Sequence, residues 1–111
     1  MGRHANDRLQ GTLDLLVLQS LARLGRMHGF GITQYIQAVS EDALRVEEGS
    51  LYPALRRMEE DGWIRADWDV TENNRRARYY CLTPAGQHQL AREQKYWADL
   101  STAVARFLEY A

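Results

Sequence analysis

Arginines are concentrated where they could grip phosphate. Between Asn73 and Leu82 the segment NNRRARYYCL holds Arg75, Arg76 and Arg78 and no acid. Guanidinium groups at the tip of a hairpin can fork onto phosphate oxygens or enter a minor groove. Just upstream, GSLYPALRRM brings Ser50, Tyr52, Arg56 and Arg57 together. Leu51, Leu55 and Met58 recur there at four and three, so they share one helical stripe while Tyr52, Arg56 and Arg57 take the other face. Taken singly, an arginine hairpin is also a solvated edge that discourages aggregation, and an arginine pair on a helix is unspecific. A two-faced helix followed at once by a basic hairpin points to double-stranded DNA.

Catalytic chemistry finds no comparable support. His4, His28 and His88 are scattered without metal-ligand spacing. Cys81 alternates with Tyr80 and Leu82, so its thiol faces outward if those two face inward, and no base accompanies it. Glu59-Glu60-Asp61 ends an exposed helix, where a solvated face is the ordinary explanation. Gly29 and Gly31 are part of a dinucleotide-type glycine pattern, but the third glycine and a preceding strand are missing. No enzyme activity, cofactor or metal is expected.

The elements that must position these groups follow in order. Gly11 to Leu24 reads as a strongly apolar helix, capped by Thr12, stopped by Gly25 and sandwiched between others. A second helix runs from about Gly29 to Ser40 with Ile32, Tyr35, Ile36 and Val39 on its buried side. Ala43 to Val46 is expected as a short strand. The next helix starts near Ser50, which can cap it, with Glu47 and Glu48 at its dipole-positive end and Pro53 in its first turn. Gly62 is its stop. Trp63 to Val70 alternates as a half-buried strand, with Ile64, Ala66, Trp68 and Val70 on one side. Thr71-Glu72-Asn73-Asn74 is turn chemistry, and Tyr79 to Leu82 returns as the second strand. Trp63 and Trp68 are expected to anchor this hairpin to the helical core.

Thr83-Pro84 opens the last helix, which runs to about Glu109 and would span about 39 Å. Leu90, Trp97, Leu100, Val104, Phe107 and Leu108 recur along it at sevens, threes and fours. A small domain has little surface to cover so long a stripe, so a second copy of the chain is expected to do so. Packing back on the first helix is the alternative. The fold class is mainly α with a small β-hairpin: a winged helix-turn-helix plus a long C-terminal dimerisation helix. The boundaries are an N-terminal arm over 1–9, a DNA-binding domain over 10–83 and the dimerisation helix over 84–111.

Composition agrees with a single modest core. The 111 residues are 45% hydrophobic, with a net charge of −1 and a pI near 6.3, so any DNA affinity must arise from local arrangement. The one cysteine excludes an internal disulfide and suits a reducing cytoplasm. Met1 to Gln10 has no apolar run, and no stretch approaches a membrane span, so a cytoplasmic protein is expected.

The segments LQGTLDLLVLQSLARLGRMHGFGITQYI, LRVEEGSLYPALRRMEEDGWI and NNRRARYYCLTPAGQ together resemble the PadR family of bacterial transcriptional regulators, in particular its short members with one dimerisation helix. The likeness runs from Leu9 to about Leu90. It implies a homodimeric repressor on a palindromic operator, with half-sites about one helical turn or a multiple of it apart. Ser50, Leu51, Tyr52, Pro53, Arg56 and Arg57 match the family's reading helix, and Asn74, Arg75, Arg76 and Arg78 its wing. By type, the Ser50 and Tyr52 hydroxyls suit phosphates, Arg56 a guanine edge or phosphate, and the wing arginines backbone or minor groove. The plainer alternative for Tyr52 is that its ring packs against the wing, which is compatible with a hydroxyl at the phosphate, and Arg57 could turn instead toward Glu60 or Asp61. The family also implies a small aromatic effector, for which Trp97 is the candidate, with simple core packing as the plainer role. A winged helix that binds protein instead of DNA is the competing reading.

Overall fold

The computed structural model describes residues 5–110, with side chains from Thr12 onward. The elements are α1 (Ala5–Leu24), β1 (Met27–His28), α2 (Gly29–Val39), α3 (Glu48–Glu60), β2 (Ile64–Val70), β3 (Arg76–Leu82) and α4 (Pro84–Tyr110). Helix α1 begins earlier than its apolar run suggests and places Thr12 in its interior, so that residue is not a cap. Part of the expected arm, residues 5–9, thus belongs to this helix, whereas 1–4 lie outside the described residues. Gly25, at φ +77, ends α1 with its amide on the Leu21 carbonyl.

Helix α1 is the central element, touching α2, α3, β3 and α4. It contributes Leu13, Val17, Leu18 and Leu21 to a core completed by Ile32 and Ile36 of α2, Leu51, Leu55 and Met58 of α3, Ile64, Tyr80 and Leu90. Burying each of the larger aliphatic side chains stabilises the fold by about 1.5 to 3 kcal/mol. The broad apolar surface read from the sequence is therefore spent on several neighbours at once.

Four expectations change with packing. The third strand is Met27–His28, not Ala43–Val46, and it pairs antiparallel with β3 to give the sheet order β1-β3-β2. Two residues carry too little periodicity to be read locally; their partner strand creates them. Val39 lies at the exposed end of α2. Helix α3 begins at Glu48 after Glu47, so Ser50 stands inside the first turn and is not the cap. Pro53 then falls in the second turn, where it deprives the Gly49 carbonyl of its usual helical donor.

The end of α3 follows the sequence closely. Gly62, at φ +80, allows the Trp63 amide to reach Met58 O and its own amide to reach Glu59 O, a Schellman closure. Strands β2 and β3 pair from Ile64 with Leu82 to Val70 with Arg76. Thr83 Oγ1 caps α4 by accepting from the Gly86 amide at 3.0 Å and donates to Gly62 O at 2.6 Å. A Cβ on buried Gly86 would collide with the Trp63 carbonyl, so glycine is what lets α4 dock on the α3–β2 corner.

Helix α4 has 27 residues. Its first half packs on α1, with Leu90 buried and Gln94 Nε2 donating to Gln19 Oε1. Leu90 is thus part of its own chain's core and is unavailable to a partner, a correction to the stripe drawn from the sequence. Beyond it, Trp97, Leu100, Val104, Phe107 and Leu108 are exposed. Among the described residues no helix is long and apolar enough to cross a membrane.

Candidate nucleic-acid interface

The alternation of the β2–β3 hairpin decides what its arginines face. Register pairs Ala66 with Tyr80, Trp68 with Arg78 and Val70 with Arg76, so these residues share the sheet face that continues from the buried Ile64 toward α3. Near the helices that face is core; from Trp68 outward it is open. Trp68 is 57% exposed, so it does not anchor the wing to the core as its type suggested. Instead the Arg76 and Arg78 guanidiniums lie 4.9 and 5.9 Å from its ring centroid, within cation–π range. Trp63, by contrast, is half-buried against the core, as expected.

The hairpin closes tightly. Asn74 adopts φ +62 and its amide donates to Thr71 O at 2.9 Å, while the Thr71 amide donates to Arg75 O at 2.7 Å. The Arg75 amide donates to Thr71 Oγ1 at 3.2 Å. Asparagine tolerates that positive φ, which is why it suits this position. Arg75 and Arg76 are left exposed at the tip.

Between α3, the start of α2 and the wing lies a cleft of about 1050 Å³. Arg56, Arg75, Arg76 and Arg78 line it against the carboxylates Glu59 and Glu72, so positive charge prevails. Tyr52 leans into it from α3. A Cβ at Gly29 would stand 2.7 Å from the Tyr52 hydroxyl, so the tyrosine ring rests on the first turn of α2, and it lines the same cleft as Tyr80 of β3. Its partial burial, and then Glu48, raise its pKa, which keeps the phenol a hydrogen-bond donor. His28 holds this turn: Nδ1 accepts from the Gly31 amide at 3.0 Å, and its ring meets Tyr79 edge-on.

The sequence-derived DNA-contact residues divide into four groups. Tyr52, Arg56, Arg75 and Arg76 are exposed and line the cleft, Asn74 is exposed at the tip, and Pro53 is exposed on α3. Ser50 is half-buried at the helix start. Leu51 is fully buried and is a core residue, not a contact. Two arginines are already engaged. Arg57 makes a bidentate pair with Asp14 of α1, at 2.6 and 2.9 Å, and not with Glu60 or Asp61. That pair, more than any neighbouring charge, raises the Arg57 pKa. Arg78 Nη2 donates to Glu59 Oε2 of α3 at 3.1 Å, and its Nε is buried without a partner. Both therefore tie α3 to its surroundings.

Sequence reasoning passed over Arg26. Its Nη2 lies 2.8 Å from Asp67 Oδ1 and 3.0 Å from Asp69 Oδ2, and its guanidinium sits 4.3 Å from the Tyr79 ring centroid. The alternation Asp67, Asp69 on one face called for a cation, but nothing local named which one. Trp97 stands on α4, away from this cleft, and is 46% exposed.

Known proteins share this fold. Residues 17–92 match the family described as Transcriptional regulator PadR-like family. A Mycobacterium tuberculosis protein named as a transcriptional regulator is 35% identical over 78 residues, covering 70% of this chain and 69% of its own. A solved transcriptional regulator from Clostridium thermocellum superposes with a TM-score of 0.82 at 26% identity, covering 91% of this chain and 97% of its own. A PadR family transcriptional regulator from Eggerthella lenta gives 0.76 at 28% identity, covering 94% and 88%.

Proposed function

Because the chain belongs to the PadR-like family of transcriptional regulators, whose members bind DNA, we propose that it is a homodimeric repressor that meets a palindromic operator with α3 and the wing of each copy. The observation that carries this is the cleft: Tyr52 and Arg56 on α3 open toward the same space as Arg75 and Arg76 on the wing. A helix presenting polar groups to a major groove, with arginines reaching the neighbouring backbone or minor groove, is the docking arrangement of a winged helix-turn-helix. In this reading α1 to β3 form the DNA-binding unit, the first half of α4 completes its core and the distal half of α4 is the pairing segment. Arg57 and Arg78, held by Asp14 and Glu59, support the reading helix in this scheme and do not lead the contacts.

Pairing rests on the distal half of α4. Trp97, Leu100, Val104, Phe107 and Leu108 present a continuous exposed apolar stripe, which a second α4 would cover. In such a dimer Trp97 stands at the interface, where a planar aromatic effector has a ring to stack on. Titrating wild type and Trp97→Ala with phenolic acids and planar cationic drugs tests this: effector-dependent quenching and DNA release should both vanish in the variant.

The decisive experiment is a gel shift and footprint on the DNA immediately upstream of the coding sequence, with sedimentation in parallel. A dimer that protects a two-fold site, and loses affinity with Arg75→Ala and Arg76→Ala, is expected. Binding indifferent to those changes, or no binding at low salt, favours a winged helix that docks on protein. A monomer by sedimentation overturns the paired arrangement.

A further inference from the structure

The wing leans out beyond its support. On the inner sheet face burial ends after Ile64 and Ala66, and from Trp68 to the tip the strand is exposed. A two-stranded hairpin without a core beneath it is marginally ordered in water. Arg75 and Arg76 sit at its far end, so their position depends on what fixes the hairpin's angle.

On the inner sheet face Arg78 ties the hairpin to Glu59 of α3, and on the outer face the tie is Arg26. Arg26 directly precedes β1, the edge strand, and the sheet order is β1-β3-β2. Its side chain crosses the central strand, lying over Tyr79, and reaches the carboxylates of Asp67 and Asp69 on the far strand. Tyr79 is the register partner of both His28 and Asp67. One guanidinium thus spans all three strands, attached where the core beneath β2 runs out. Both hydrogen bonds leave one nitrogen, Nη2, while the planar guanidinium lies over the Tyr79 ring, a stacking that a lysine ammonium would reproduce less well. The Asp69 carboxylate, below its ordinary pKa through the Val70 amide and then Arg26, stays ionised to receive it.

From this we propose that Arg26 is a positioning residue of the wing: its clasp over Tyr79 onto Asp67 and Asp69 sets the angle of the hairpin and hence the reach of Arg75 and Arg76. The proposal rests on the DNA-binding reading above for the consequence, but the clasp itself is measurable without DNA. A surface pair taken singly has little stabilising value. Here the leverage is geometric, since a small rotation at Asp69 is amplified at the tip.

The test uses the full chain and a fluorescein-labelled duplex from immediately upstream of its coding sequence, with Arg26→Ala, Arg26→Lys, Asp67→Asn/Asp69→Asn, and Arg26→Ala in an Arg75→Ala/Arg76→Ala background. Arg26→Ala is expected to weaken binding by about 3- to 10-fold, and to add nothing once the tip arginines are gone. Arg26→Lys should fall between wild type and Arg26→Ala. Asp67→Asn/Asp69→Asn should also weaken binding, although removing negative charge near DNA would by itself tighten it. In DNA-free protein, amide exchange at Thr71 and Asn74 should quicken about tenfold in Arg26→Ala while core amides stay unchanged. Tighter binding by the asparagine pair, an equal loss in both backgrounds, or unaltered tip exchange overturns the proposal. If wild type fails to bind the duplex at low salt, the DNA reading falls and takes the proposed consequence with it, while the exchange result still reports whether the clasp holds the tip.

Discussion

Arg56 and Arg57 are neighbours on α3 and should fail in opposite ways. Arg57 makes two charge-assisted hydrogen bonds to Asp14, a carboxylate whose side chain is only 19% exposed, while the Arg57 side chain is 45% exposed. Discounting for that exposure, the pair contributes about 1 to 2 kcal/mol, and Arg57→Ala also strands Asp14 between α1 and α3. A domain of ordinary stability, about 5 to 15 kcal/mol, remains almost wholly folded after that loss. Urea denaturation should therefore register the full penalty. Fluorescence anisotropy on the upstream duplex should show an affinity change under about threefold and an unaltered salt slope, since no phosphate contact is removed. Arg56 is exposed in the cleft with no protein partner among the described contacts to lose. Arg56→Ala should leave stability within about 0.5 kcal/mol, weaken DNA binding by about tenfold, and lower the salt slope by about 0.9 per subunit if the contact is a phosphate. The reasoning is refuted if Arg57→Ala flattens the salt slope while sparing stability, because Asp14 would then be a holding place for a DNA contact and not an anchor.

Three further outcomes follow from the packing. Gly86→Ala should lower stability by about 2 to 3 kcal/mol, read as a drop in Tm, because its methyl meets the Trp63 backbone carbonyl and α4 must shift to admit it. Glu41 holds φ +54 in the connection between α2 and α3, a left-handed conformation costly for any residue with a Cβ, so Glu41→Gly should raise the urea midpoint by an amount worth about 1 kcal/mol. Burial raises the Tyr80 pKa above 10.0, so the native state keeps a proton that the unfolded chain gives up. That contribution is whole below pH 10 and disappears as pH climbs past the folded value; Tyr80→Phe should flatten the alkaline fall in stability measured by urea melts above that pH.

The outline of the fold was legible because its signals are local. The apolar period of α3, the Gly62 stop, the alternation of β2, the Asn74 turn and the Thr83-Pro84 start of α4 each lie within a few residues of the feature they encode. So does the exposed stripe on α4 from Trp97 onward. What local pattern could not resolve was direction. The expected strand at Ala43–Val46 had the right residue types but no partner, whereas Met27–His28 is a strand only because β3 runs beside it. Ser50 looked like a cap because it is a serine near a helix start, and one turn's error in that start moved Pro53 as well.

The amino-acid sequence by itself therefore determined the succession of elements, the apolar face of each and the presence of a basic hairpin beside a two-faced helix. Tertiary structure decided which arginines are free. Arg57 and Arg78 have the same chemistry as Arg56 and Arg76, but Asp14 lies 43 residues from Arg57 and Glu59 lies 19 from Arg78, so only the folded chain brings those acids into reach. The same holds for Arg26, whose carboxylates are 41 and 43 residues away. Side-chain periodicity is written over three or four residues, whereas the pairing of charges is set by which surfaces the core brings together.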